Sequence, residues 1–403
     1  MNYSTTLKPL LLLLLCVLFF QGCFGGESGL PEHMQEAKNL SVLEDTEQFD
    51  MNFKLEKVMA FEDSLLLDHI HDIVVDNSGR VYIAGEGWNR RQVHIFEPDG
   101  SYADSLRGFG QGFGEFQSID HIRHLDNILY LFDHTLNRVS LYQTQTKSFL
   151  DTLSFNISQL TLPRDLKKAD YEAVPVSIIT PNRYVVALKD RRNPAYEPEG
   201  TICYFLSDSL GILSEDEIVR QPDLLYQVGD YAGKPSPFTL SLPERPLFYV
   251  SNSNELYTVY TAEFFIRVFD EYGIEERAFY YPFSRETLNP DDVIHPRYSH
   301  NRQLLMTRGS ADYPDQWPAL FSLLVDDKNR LWVSTTTENQ DEFVWWVIDQ
   351  TSGEVVVRFN LPAEELIAKV ENKFAYIIKK NEMGFREVVK YSLIENSPAD
   401  PIE

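Results

Sequence analysis

The sequence has little that would make a helical, nucleic-acid-binding or disulfide-held protein. Strong helical periodicity is missing over any long stretch. So is an apolar run long enough to cross a bilayer. The longest, Leu10 to Phe20, has eleven residues, where a span needs roughly 20. Lysine and arginine number 36 against 61 aspartates and glutamates, for a net charge of −25. That excess repels nucleic acid and anionic headgroups and excludes a nucleic-acid partner. It reads as a solvated acidic surface rather than an acidic binding face. Cysteine is scarce, with only Cys16, Cys23 and Cys203. Cys203, in Ile202-Cys203-Tyr204-Phe205, has the setting of a buried strand thiol rather than a reactive one.

What is present begins with an address. A polar start containing Lys8 precedes the apolar run, which ends at Gly22 and Cys23, the layout of a secretory signal. Phe20-Gln21-Gly22-Cys23 resembles the lipobox of bacterial lipoproteins. In that family the cysteine thiol is acylated and becomes the first mature residue. Phe20 and Gln21 depart from the usual aliphatic and small residues, and ordinary cleavage with secretion is the alternative. The resemblance implies a signal peptide over 1–22 and lipidation at Cys23, which leaves Cys203 as a lone thiol and the fold dependent on its core. Residues 24–50 are polar and lack strand alternation, so 23–50 reads as a lipid-anchored flexible tether.

From about residue 53 the chain is strand-like and repetitive. A polar turn and aromatic-bearing strand recur at 76–85 (DNSGRVYIAG), 125–133, 180–190, 251–260, 326–335 (DDKNRLWVST) and 371–380. Each is preceded by an apolar strand (HDIVVD, IDHIRHL, VPVSIIT, LFYVS, LFSLLVD, ELIAKVE) and followed by a second strand. The first five continue into a further strand (SYADSL, SFLDTL, ILSEDEIV, EERAFYY, EVVVRF). From Tyr82 to Tyr376 five steps take 294 residues, somewhat above the roughly 40–50 of a compact propeller blade. The expected fold is all-β, a single six-bladed β-propeller of four-stranded antiparallel blades over 51–396, with a tail at 397–403. The sixth unit lacks its outer strand, and FKLEKVMAF (53–61) is predicted to supply it. The N-terminal strand then completes the last blade, closes the ring and hides two sheet edges.

The segment GFGQGFGEF (108–116) is similar to the Gly-rich turn between blades of NHL-type propellers. With the D-x-x-G-x-[VL]-[YW] strand openings, 53–394 resembles the six-bladed propeller lipoproteins common in Bacteroidetes. The likeness implies a fold and leaves the ligand open. A dinucleotide loop would need a helix after the glycines, and FQSIDHIRHL reads as a strand. Asp63-Ser64-Leu65, Asp104-Ser105-Leu106, Asp151-Thr152-Leu153 and Asp208-Ser209-Leu210 resemble the O-glycosylation triplet of Bacteroidetes envelope proteins, although repeat descent explains much of that pattern.

Ligands of propellers usually meet one mouth of the central channel. There the arginine pairs Arg90–Arg91 and Arg191–Arg192 would hold a carboxylate or sulfate by bidentate hydrogen bonds, unless they pair with surface carboxylates. Trp88 and Trp317 would stack on a sugar or aromatic ring, unless they pack between blades. His134 stands in the same loops. His69, His71 and Asp72, and Asp120, His121 and His124, suggest a divalent cation, with His71, Asp72 and Asp120 the candidate ligands. His121 and His124 would face opposite ways on a strand. No G-x-S-x-G elbow is present.

The expected role is an exported, membrane-anchored lipoprotein of the cell envelope, with a non-catalytic propeller that binds an envelope protein, peptide or glycan and needs no cofactor. One alternative is a metal-dependent lactonase- or esterase-like hydrolase with its cation at the channel mouth. Another is a structural subunit of an envelope complex.

Overall fold

In the computed structural model the described residues are 30–45, 49, 52–61, 67–87, 90–106, 108–289, 311–338 and 340–396. The signal segment, Cys23 and Trp88 lie outside them, as does the side chain of Arg90. A one-turn helix α1 (Glu32–Gln35) and strands β1 (Leu40–Val42) and β2 (Asn52–Ala60) precede the ring. Blade one is β3 (Leu67–Val75), β4 (Val81–Gly87), β5 (Arg90–Phe96) and β6 (Tyr102–Leu106). Blade two is β7 (His121–Leu125), β8 (Ile128–Asp133), β9 (Arg138–Gln143) and β10 (Ser148–Ser154). Blade three is β11 (Tyr171–Thr180), β12 (Arg183–Asp190), β13 (Thr201–Ser207) and β14 (Val219–Pro222). A hairpin, β15 (Gln227–Tyr231) and β16 (Lys234–Phe238), is inserted before blade four: β17 (Pro246–Val250), β18 (Leu256–Tyr260), β19 (Phe265–Phe269) and β20 (Glu275–Tyr280). Blade five is β21 (Leu320–Val325), β22 (Arg330–Thr335), β23 (Glu342–Asp349) and β24 (Val355–Pro362). Blade six is β25 (Leu366–Glu371), β26 (Phe374–Lys380) and β27 (Arg386–Asn396), with β2 as its outer strand. The chain is a six-bladed β-propeller, as the repeat predicts.

β2 pairs antiparallel with β27 from Asn52↔Asn396 to Ala60↔Val389, so the two ends of the propeller sequence share one sheet. Phe53 from β2 stacks on Trp332 of blade five at 5.4 Å, and Phe61 meets Tyr376 and Phe96. Ring closure is thus a hydrogen-bonded strand and an apolar seam together.

The recurring D-x-x-G-x-[VL]-[YW] opening has a physical cause. In blade one the Asp76 carboxylate accepts the N–H groups of Ser78 (2.8 Å) and Arg80 (3.0 Å), and Tyr82 donates its hydroxyl to the other oxygen at 3.1 Å. Gly79 sits at φ +85°, a conformation glycine adopts without strain. In blade five Asp326 accepts from the N–H groups of Lys328 and Arg330, while Trp332 Nε1–H donates at 2.9 Å. One carboxylate therefore closes the turn and pins the buried aromatic six residues on. Blades two and six instead use two-residue turns, Asp126–Asn127 and Asn372–Lys373, all four at positive φ. These suit the twist of the flanking strands.

Two features differ from the sequence reading. The fourth strand of blade three, expected over 212–219, starts only at Val219. Ile212 bridges instead to Thr161, and the Ser214 hydroxyl accepts the Leu206 N–H. The stretch expected as a tether carries structure from residue 30. β1 lies parallel to β20, Leu40 opposite Ala278 and Val42 opposite Tyr280, as a fifth strand on blade four. Met34 and Leu43 are buried, and Asn39 donates to the Glu276 carbonyl at 2.8 Å. Arg358 of blade five pairs with Asp45 at 2.9 Å and lies over Phe49 and Trp346. The described parts of 30–60 (30–45, 49 and 52–60) thus run as a strap along the rims of blades four, five and six. Its two apolar anchors are diluted by polar neighbours, which is why composition reads it as a tether. Among the described residues no helix is long and apolar enough to cross a membrane.

Candidate functional site

Each innermost strand turns one row of side chains toward the propeller axis. Together β3, β7, β11, β17, β21 and β25 line a cavity of about 910 Å³. Its wall is mixed, with Ile, Val and Leu interrupted by polar groups concentrated on blades one to three.

The most connected of those groups is Asp72 on β3. Its Oδ1 accepts the Ile73 N–H at 2.8 Å, and Oδ2 accepts the Ile122 N–H at 2.9 Å. His121, at the start of β7, lies with Nδ1 2.5 Å from the same Oδ2. A carboxylate only accepts, so Nδ1 carries a proton, and in the neutral imidazole Nε2 is then the acceptor. Ser177 on β11 has its Oγ 3.4 Å from that Nε2, and donates to it in that neutral tautomer. The bulge between Pro175 and Ser177 shifts the register of β11 here. Three consecutive blades therefore contribute Asp72, His121 and Ser177 to one hydrogen-bonded line along the cavity wall.

Asp120, just ahead of β7, accepts the Ser118 hydroxyl at 2.5 Å and the His134 N–H at 3.1 Å. His134 donates Nε2–H to the Pro175 carbonyl at 3.0 Å, and burial pushes its imidazole below the usual value, against the pull of Asp120. His71 lies 3.6 Å from Glu86, and its ring centroid is 6.5 Å from that of His69. Asp72, Asp120 and His71 thus take separate partners. Among the described residues no group of three or more His, Cys, Asp or Glu is placed to hold a metal ion. The expected cation ligands do not converge.

Nor do Arg91, Arg191 and Arg192. Arg91 donates Nε–H to Glu86 at 3.0 Å and Nη1–H to the Gln117 carbonyl at 2.5 Å. Arg191 donates to the Tyr171 carbonyl at 3.3 Å. Arg192, with a side chain only 6% exposed, donates to the carbonyls of Glu197, Pro198 and Leu224 and pairs with Asp223. The Arg91 and Arg192 guanidinium groups hold their own loops in shape, as a planar fork with five donors does well. Trp317 is buried in the core between blades and is closed to a ligand. The Gly-rich segment forms the turn between blades one and two, where Arg138 donates to the carbonyls of Gln111, Gly112 and Glu115. A strand follows it.

Arg123 and Lys369, two cations of the cavity wall, were not singled out by the sequence reading. Arg123 reaches from blade two across to blade four, donating to the carbonyls of Val250 (2.5 Å) and Ser251 (2.8 Å). Burial lowers its pKa, with Tyr249 and Asp72 acting in the opposite direction. Lys369 on β25 is opposed by burial but favoured by Tyr249 and by Glu371, 3.5 Å away, and is held above its usual value. The available signal was a charge inside an innermost strand: Ile122-Arg123-His124 and Ala368-Lys369-Val370.

A family model described as 6-bladed beta-propeller (DUF5128) matches residues 45–174. No curated protein sequence matches the chain. Among solved structures, a member of the DUF4221 family from Bacteroides vulgatus is 9% identical, covers 87% of this chain and 100% of its own, and has a TM-score of 0.49. A candidate exported protein from Bacteroides fragilis is 12% identical, over 88% and 100%, with a TM-score of 0.48. Virginiamycin B lyase from Staphylococcus aureus is 11% identical, over 85% and 100%, at 0.40. At these identities and scores the likenesses carry nothing about ligand or chemistry.

Proposed function

We propose that this is an exported, envelope-anchored lipoprotein whose propeller channel binds a small organic ligand or the end of a peptide or glycan. The observation that carries the reading is the axial cavity of about 910 Å³ with a mixed wall. Ligand sites typically enclose about 300–1,000 Å³ and combine apolar walls with a few placed polar groups. Here those groups are Asp72, His121, His134 and Ser177 on blades one to three, with Lys369 on blade six. The anchor is the Cys23 thiol, proposed from the signal segment and Phe20-Gln21-Gly22-Cys23.

Two experiments test these halves. Cells expressing the full chain are fed an alkyne-tagged palmitate. Label on the wild type and none on Cys23→Ser supports the anchor, and equal label refutes it. The purified chain from residue 24 is screened by thermal shift against muropeptides, short oligosaccharides and C4–C8 carboxylic acids. A hit that vanishes in Val174→Trp, which fills the cavity, supports the channel. Hits that survive the tryptophan place binding elsewhere.

A further inference from the structure

We propose that Ser177 is a nucleophile, activated by His121 and Asp72, and that the channel ligand is an ester or other activated acyl compound. The inference rests on the channel being a ligand site and adds chemistry to it.

Three observations carry it. The order of groups is carboxylate, imidazole, hydroxyl, with Asp72 Oδ2 2.5 Å from Nδ1 and Ser177 Oγ 3.4 Å from Nε2. That is the arrangement in which a serine is deprotonated by a histidine whose tautomer a carboxylate fixes. The 3.4 Å separation is of the kind that tightens only when substrate is bound. Second, the carboxylate is itself fixed, since Asp72 also accepts the N–H groups of Ile73 and Ile122. Third, all three residues line the same cavity and come from neighbouring innermost strands rather than loops. Rigid elements hold such geometry best.

The step balances without a metal or an added oxidant. Ser177 Oγ attacks the acyl carbon, and its proton passes to His121 Nε2. The tetrahedral adduct collapses, the C–O bond to the leaving alcohol breaks, and the alcohol departs with the proton from Nε2. Water from the channel, deprotonated by the same nitrogen, cleaves the acyl-Ser177 ester and restores the hydroxyl. A structural pin between three blades would use the same hydrogen bonds but would confer no reactivity.

The test uses the purified chain from residue 24 with two small probes, diisopropyl fluorophosphate and p-nitrophenyl acetate. The expected result is one phosphoryl adduct per chain, mapped by peptide mass spectrometry to Ser177, with turnover of the acetate. Loss of the general base in His121→Asn should slow labelling about 10²–10⁴-fold, and Ser177→Ala should abolish it. Because the adduct is mapped in the wild type, the result stands even if a variant melts early. An adduct on another residue, or none, overturns the proposal. If no adduct forms while a thermal-shift hit is still lost in Val174→Trp, the channel reading stands and only the chemistry falls. If neither appears, both fall.

Discussion

Asp326→Ala offers the sharpest test of how this fold is held. The Asp326 side chain is fully buried. Its carboxylate accepts the N–H of Lys328 (3.0 Å), the N–H and Nε–H of Arg330 (2.8 and 2.7 Å) and the Nε1–H of Trp332 (2.9 Å). Alanine removes the acceptor and leaves the donors in place, one of them cationic. Deleting one partner of a buried pair costs about 3–5 kcal/mol. Arg330 keeps a second carboxylate, Glu395 at 3.0 Å, so the lower end, about 3 kcal/mol, applies here. Unfolding entropy near 2.1 cal/mol/K per residue gives roughly 0.8 kcal/mol/K for a chain of 403 residues. The expected fall in Tm is therefore about 4 °C by calorimetry, with Asp326→Asn near half of it. A fall under about 1 °C in the alanine variant, or equal falls in both, would refute the idea that the carboxylate holds the turn and the tryptophan together.

Three further outcomes follow from the same geometry. A chain beginning at residue 62 leaves β27 without β2, so it should self-associate through that open edge, and a synthetic peptide of residues 49–61 added in trans should restore a monomer by light scattering. Burial holds the imidazoles of His124 and His134 below their ordinary 6.5. As pH falls the unfolded chain takes up these protons first, so their share of stability is whole above about 6.5 and is lost progressively below it. Tm should drop between pH 7 and 5, and His124→Gln with His134→Gln should flatten the slope; a slope unchanged by both would contradict this. Burial pushes the Cys203 thiol up to about 12. A chain retaining only that cysteine should therefore ignore Ellman's reagent at pH 8 until denatured, whereas rapid native reaction would show the thiol to be open.

Much of the ring was legible because its rules are local. Asp76 and Asp326 announce their turns by spacing alone, and the missing outer strand of blade six pointed to 53–61 as its replacement. What the sequence hid depends on distant pairing. Met34 and Leu43 are two apolar anchors among polar residues, and nothing local says that β20 has a free edge to receive them. The site shows the same division. His121 and Asp72 were visible as chemistry-bearing residues but suggested a metal, because their partnership crosses two blades. Ser177, inside the apolar strand Val174-Pro175-Val176-Ser177-Ile178-Ile179, carries no motif, and only the meeting of β3, β7 and β11 gives it a histidine. The arginine pairs were conspicuous in an acidic chain, yet Arg91 and Arg192 are occupied by carbonyls and carboxylates of their own neighbourhood.

The strap built from α1, β1 and β2 has a kinetic consequence. Its partners are β20, ending at Tyr280, and β27, ending at Asn396. β2 must therefore wait for β27, and its contacts are among the most distant in sequence that the described residues form. Such closures are slow, because loop entropy is spent before the contact forms. A chain crossing a membrane amino end first would hold β1 unpaired until β20 had followed and β2 unpaired until β27 had. The last blade is then a proof of length: a chain truncated before residue 386 has no β27 on which to lock β2.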